Sequence, residues 1–182
     1  MTRIPPQSRD EMDDGQRAIL DRITDKGGRV GFGPAIGYAY SAEVWRLHNE
    51  SSGHLLDCTL TNAQVRIISL MTVRHWNASY PWSAQSKTAL SAGLDPAIIE
   101  AINSGEQPDF SDDTDAAVYA ATGELLATGN LSDDGFKAAE AALGHKRMVE
   151  LVHTIGHFCT TGMMANMVGC IPPEDAVSRL KG

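Results

Sequence analysis

The sequence predicts an all-α fold, a single-domain bundle of about eight helices, and three observations predict it. Few segments alternate apolar and polar residues as strands do. Helix-capping patterns recur along the chain. No Pro/Gly/Ser-rich linker and no repeat of solenoid period divides the chain, so residues 1–182 read as one domain.

The first helix is expected over 15–26, with Ala18, Ile19, Leu20 and Ile23 on its apolar face. A glycine-rich stretch follows, with Gly27, Gly28, Gly31, Gly33 and Pro34. It matches neither G-x-G-x-x-G nor a Walker lysine and reads as a connecting loop. Ser41 is positioned to cap a helix to about Leu56. Thr61 and Gln64 form a Thr-x-x-Gln capping box for a helix to about Trp76. Asn77 interrupts, and the next helix starts at Ser79 or Tyr80, with Pro81 in its first turn and Gly93 at its end. Asp95-Pro96 opens a short helix through Ile102. After a polar loop from Asn103 to Asp113, a helix is expected from about Thr114 to Thr128, stopping at Gly129-Asn130. Ser132 caps another to Leu143, closed by Gly144, and the last spans about His145 to Val168 before Pro172-Pro173.

Composition narrows function. The 182 residues carry 15 Lys and Arg against 23 Asp and Glu, a formal charge of -8. There is no basic stripe, so nucleic acid is not an expected partner. Residues 151–170 contain no Asp, Glu, Lys or Arg, but their two His, three Thr, Asn and three Gly are too polar for a membrane span. A buried soluble helix, apolar on all sides, is expected instead. Cys58, Cys159 and Cys170 form no C-x-x-C pair, so free thiols are expected. The polar start, Met1 to Asp14, lacks the basic and apolar regions of a signal peptide, and a cytoplasmic location is the expectation.

An ordered series of motifs spans residues 33–170. Gly33-Pro34 precedes Leu47-His48; then come Leu60-Thr61-Asn62-Ala63-Gln64-Val65-Arg66 and Asn77-Ala78-Ser79-Tyr80-Pro81-Trp82-Ser83-Ala84-Gln85. Ala89 to Leu94, Ile98 to Ile102, Glu150-Leu151-Val152 and Gly156-His157-Phe158 follow. The series resembles the carboxymuconolactone decarboxylase and alkylhydroperoxidase D-like family. The resemblance implies an all-α fold with its site on a helical hairpin, and a homo-oligomer (dimer, trimer or hexamer). The family's peroxidase branch carries Glu, Cys-x-x-Cys and His; those positions fall here on Arg66, Ala78, Pro81 and Gln85. Alanine and proline can neither attack a peroxide nor resolve a sulfenic acid, so thiol peroxidase chemistry is not expected. Gln85 does not titrate, so any acid–base chemistry must sit elsewhere.

The candidates for it are His153 and His157, four residues apart on one helical face. They read as acid–base groups or as a hydrogen-bonded core pair; without the Glu of H-E-x-x-H they make a poor metal motif. Tyr80 is a candidate hydrogen-bond donor in catalysis, and Trp82 a candidate wall for a flat ligand. Arg74 and Arg66 can each capture a carboxylate or form an internal ion pair. Gln85 can orient a carbonyl, and His75 is a candidate ligand or subunit contact. The reading is a decarboxylase-like protein that acts on a small carboxylated or lactone-type compound by proton transfer (decarboxylation, hydrolysis or isomerisation), with no cofactor and no metal. The alternative is an oligomeric ligand-binding protein without catalysis.

Overall fold

The structure is a computed structural model that describes residues 2–28 and 30–181. Eight α-helices follow in order: α1 (Asp14–Asp25), α2 (Ala35–Tyr38), α3 (Ala42–Asp57), α4 (Asn62–His75), α5 (Ser79–Ser91), α6 (Pro96–Ser104), α7 (Asp113–Thr128) and α8 (Asp133–Val168). No strand occurs among the described residues, and no helix among them is long and apolar enough to cross a membrane.

Local chemistry sets most helix ends. The Thr61 hydroxyl accepts from the Gln64 amide at 3.2 Å while the Gln64 side chain accepts from the Thr61 amide at 3.0 Å, closing the expected capping box. Asp13 and Gln16 make a second box at α1. Asp95 accepts from Ala97 N–H at 2.8 Å, Asp112 from Thr114 N–H at 2.7 Å, and Ser132 from Gly135 N–H at 3.1 Å. Ser41 sits at the N-cap of α3 but makes no capping hydrogen bond. At the α4–α5 corner Asn77 takes a left-handed φ of 49°, which lets α5 turn back along α4. Gly144 adopts φ 67° and ψ 164°, which splits α8 into arms 133–143 and 145–168, the two helices expected from sequence.

Helix α4 is the axis of the bundle. Val65, Ile67, Ile68, Leu70, Val73, Ser69 and Thr72 are all buried, and α5, α6, α7 and α8 pack around them. Helix α1 and α2 lean on α3, with a second small core of Ile19, Ile23, Tyr38 and Trp45. The chain ends are tied down too. Arg3 N–H donates to the Val168 carbonyl at 2.7 Å. The C-terminal tail returns to α5 and α6, where buried Asn103 donates to the Arg179 carbonyl and accepts from Lys181 N–H, each at 2.9 Å.

The charge-free segment 151–170 is not enclosed on all sides. Leu151, Thr154, Phe158, Ala165 and Val168 face the core, while Val152, Met163 and Met167 are 55%, 45% and 50% exposed. The chain itself buries only one side of that helix and leaves uncharged residues exposed on the other.

Ile68 is fully buried on the axial helix. Ile68→Ala is expected to cost about 2–5 kcal/mol, the range for truncating a large aliphatic side chain in a core. Asp112→Ala is expected to cost about 1 kcal/mol through the lost cap. Urea titration followed by circular dichroism reads both.

Candidate functional site

Helices α3 and α8 run past one another with polar side chains between them. Their meeting line holds a groove of about 350 Å³ lined by Val44, Leu47, His48, Ser51, His153, Gly156, His157 and Thr160. His48 and Ser51 stand three residues apart on α3, and His153 and His157 four apart on α8, so each pair shares a face.

The Ser51 hydroxyl bridges the two imidazoles of α8. Its Oγ lies 3.0 Å from His153 Nε2 and 2.9 Å from His157 Nδ1. A hydroxyl has one proton, so when both contacts are hydrogen bonds it donates to one ring and accepts an N–H from the other. The result is a directional path between two titratable groups. Three rings stack behind it: Tyr38 on His48 at 4.1 Å and 21°, and His48 on His157 at 4.3 Å and 12°. His54 meets His153 edge-on at 5.4 Å.

Burial sets the charge state of this stack. His157 is pushed down to about 3, first by desolvation and then by the neighbouring His48 and His153. His48 is pushed down to about 4 by desolvation. Both are neutral at pH 7, each ring with one unprotonated nitrogen. The phenol of Tyr38 is pushed up to about 12 by burial, with Thr161 acting against it. Next to the groove, burial raises Glu150, but the hydroxyl and amide of Thr59 outweigh it and hold the carboxyl below its usual range.

The helical hairpin α4–α5 carries a different arrangement. Arg66 is 8% exposed, and its guanidinium donates to Gln85 Oε1 at 2.9 Å and to Asn62 Oδ1 at 3.2 Å. Both partners are neutral, and no carboxylate among the described residues pairs with it. Burial lowers its pKa from the ordinary arginine value. Its partner Gln85 lines a cavity of about 180 Å³ together with Tyr80, Pro81, Pro34 and Thr161, and Arg66 itself is not part of that lining. Arg66 and Gln85, the positions to which the resemblance assigns the Glu and His of the peroxidase branch, are in contact here.

Of the residues singled out in the sequence, His153 and His157 come together, and so do Arg66, Gln85 and, across the cavity, Tyr80. The Tyr80 ring packs over Gly33, where a Cβ would sit 2.4 Å from it, so that glycine makes the approach possible. Three others have structural surroundings. Trp82 is fully buried and its indole N–H donates to Ser178 Oγ at 3.0 Å, which anchors the C-terminal tail. Arg74 donates to the Asn103 carbonyl at 3.1 Å and lies over Gly105, closing the end of α6. His75 is exposed and packs edge-on against Trp76 at 5.2 Å. Sequence reasoning missed Ser51, His54 and Tyr38, and took His48 only as part of a motif. The spacing of His48, Ser51 and His54 along one helix was the available signal. Among the described residues no group of His, Cys, Asp or Glu is arranged to hold a metal ion.

These features define an all-α protein with the alkylhydroperoxidase D-like fold. At the level of sequence, no family model and no curated protein matches the chain. Solved structures do. An alkylhydroperoxidase AhpD core from Ralstonia eutropha, an uncharacterized peroxidase-related protein, superposes with a TM-score of 0.72 at 17% identity, covering 96% of this chain and 93% of its own. A protein of unknown function from Agrobacterium tumefaciens, proposed to be the antioxidant defence protein AhpD, gives 0.69 at 16% identity over 76% of this chain and 96% of its own. At such identities the likeness establishes the fold.

The depressed histidines give a pH signature. Their folded pKa values lie below the unfolded value of about 6.5, so between these limits the unfolded chain binds more protons. Stability is therefore full above about pH 6.5 and falls as pH drops toward 4. His48→Gln and His157→Gln are each expected to flatten this acid slope of Tm against pH.

Proposed function

We propose that this chain is a carboxymuconolactone decarboxylase-like protein whose acid–base chemistry resides in the α3–α8 groove. Its substrate is a small carboxylated or lactone-type compound, and its reaction is a proton transfer leading to decarboxylation, hydrolysis or isomerisation. The observation that carries this reading is the Ser51 hydroxyl held between His153 and His157, one of which burial keeps neutral at physiological pH.

The chemistry follows from the parts. A neutral imidazole with a free lone pair accepts a proton from a carbon acid or from an attacking water. The serine hydroxyl then links the protonated ring to its neighbour, so a proton taken at one nitrogen is returned from the other. Val44 and Leu47 supply apolar walls, which suit a small organic skeleton. The structural neighbours are described as peroxidase-related or as antioxidant proteins. Here Ala78 and Pro81 stand where such chemistry needs thiols, so a thiol peroxidase is not the proposal.

A second reading has its own support. Arg66 is buried with only neutral partners, one of which, Gln85, lines a cavity. A carboxylate would supply the missing charge, which fits a binding protein that holds an organic acid at the hairpin without transforming it.

A panel of muconolactones, aromatic acids and unsaturated lactones, scored together for binding and for product by mass spectrometry, separates the two. The proposed enzyme turns over at least one class, and His153→Gln or His157→Gln lowers kcat by about 100-fold or more, the range for removing a general acid or base. Full turnover in the double variant would remove the histidines from the mechanism. Binding without product, weakened about tenfold or more by Arg66→Met, would favour the second reading, given about 1.5–3 kcal/mol for a hydrogen bond to a charged group.

A further inference from the structure

The N-terminal part of the chain holds a cavity that the proposed chemistry does not use. Its volume is about 200 Å³. Leu20 lines it from α1, Ile36 and Ala39 from α2 and its C-cap, and Trp45 from α3. Gln7 and Gly31 line it from the segments on either side of α1. No residue of this lining belongs to the α3–α8 groove or to the cavity at the hairpin.

The lining selects against charge and against water. It contains no ionisable side chain. An ion entering it would lose hydration and meet no opposite charge. A buried water ordinarily makes about three hydrogen bonds. Only Gln7 and Trp45 bring a side-chain nitrogen or oxygen to the wall, and Gln7 Oε1 already accepts from Gln16 at 3.2 Å. Apolar cavities of about 150 Å³ stay dry and take a molecule the size of benzene. The volume here suits a six-membered ring with a small substituent.

Trp45 supplies an independent observation. Its side chain is only 4% exposed. A buried indole N–H usually finds a partner, as that of Trp82 does in Ser178. The N–H of Trp45 has no partner among the described residues. Nor is it sealed within the protein, as the unpaired Thr122 hydroxyl is. The small surface that Trp45 keeps therefore includes its N–H, and this cavity is an opening that Trp45 lines. A buried donor without a protein acceptor gains a hydrogen bond when a ligand brings one.

We propose that this cavity binds a small, uncharged ring compound with one hydrogen-bond acceptor, of the cyclohexanone class, and that the Trp45 indole N–H holds the acceptor. The ring fills the space between Leu20, Ile36 and Ala39. The site does not rest on the reaction proposed for the α3–α8 groove.

Cyclohexanone is the probe, followed on the indole N–H resonances of the isotope-labelled full chain. The Trp45 resonance is identified as the one missing from Trp45→Phe. It is expected to move downfield and saturate with cyclohexanone, and to stay in place with cyclohexanecarboxylate. Ala39→Leu, which extends a side chain at the wall, is expected to abolish the shift with helical circular dichroism retained. Trp45→Phe keeps an aromatic wall and removes the donor. By saturation-transfer measurement it is expected to bind cyclohexanone about fivefold more weakly, the loss of one neutral hydrogen bond. That comparison reads the site even where Ala39→Leu does not fold. A Trp45 resonance unmoved up to the solubility of cyclohexanone, or moved equally by the carboxylate, would overturn the site. So would an equal shift in folded Ala39→Leu, or equal affinity in Trp45→Phe. No readout depends on turnover, so failure here leaves the proposed chemistry standing, and loss of that chemistry leaves this site standing.

Discussion

Burial of α4 on every side is the constraint from which the rest of the molecule follows. A helix with Val65, Ile67, Ile68, Leu70 and Val73 sealed from water needs neighbours all round, and α5, α6, α7 and α8 supply them. Once α8 is committed to α4 along its Leu151, Phe158 and Ala165 side, its remaining faces are fixed in direction. One of them meets α3 and brings His153 and His157 to Ser51. Another is left to solvent with valine, glycine and methionine on it. Core packing at the centre thus positions both the groove and the bare outer line.

The groove combines desolvation with a hydrogen-bonded path. Stacking His48 between Tyr38 and His157 removes water from two imidazoles, which disfavours their charged forms. The same desolvation that keeps the ring neutral also weakens it as a base, so a proton taken up there is readily passed on. The Ser51 hydroxyl, 2.9 and 3.0 Å from two rings, provides that exit. The hairpin site shows the opposite logic, with a permanent cation buried among neutral amides. In the function proposed, the first region moves a proton; in the second reading, the other holds an anion.

Much of the bundle was legible in the sequence because helix ends are written in local chemistry. The Thr61–Gln64 box, the Asp95 cap, and the breaks at Gly129 and Gly144 each involve residues within a few positions of one another. The short α2 was not legible, since a single turn carries no periodicity. Docking of the tail on Trp82 and Asn103 was not legible either, because its partners lie 76 to 96 positions apart. The same limit hid Ser51, which is 102 and 106 residues from the histidines it joins. His153 and His157 were visible as a helical pair, but their third member was not. The 151–170 segment was read as enclosed because its composition lacks charge, yet uncharged Val152, Met163 and Met167 stand exposed on one side of it.

The most direct test of the central claim is a titration of the His157 ring by nuclear magnetic resonance in the intact protein. The ring is expected to stay neutral and in one tautomer from pH 8 to about pH 4, with its resonances shifted by Ser51→Ala. A ring that titrates near pH 6.5 as a free imidazole does, unmoved by that substitution, would contradict it.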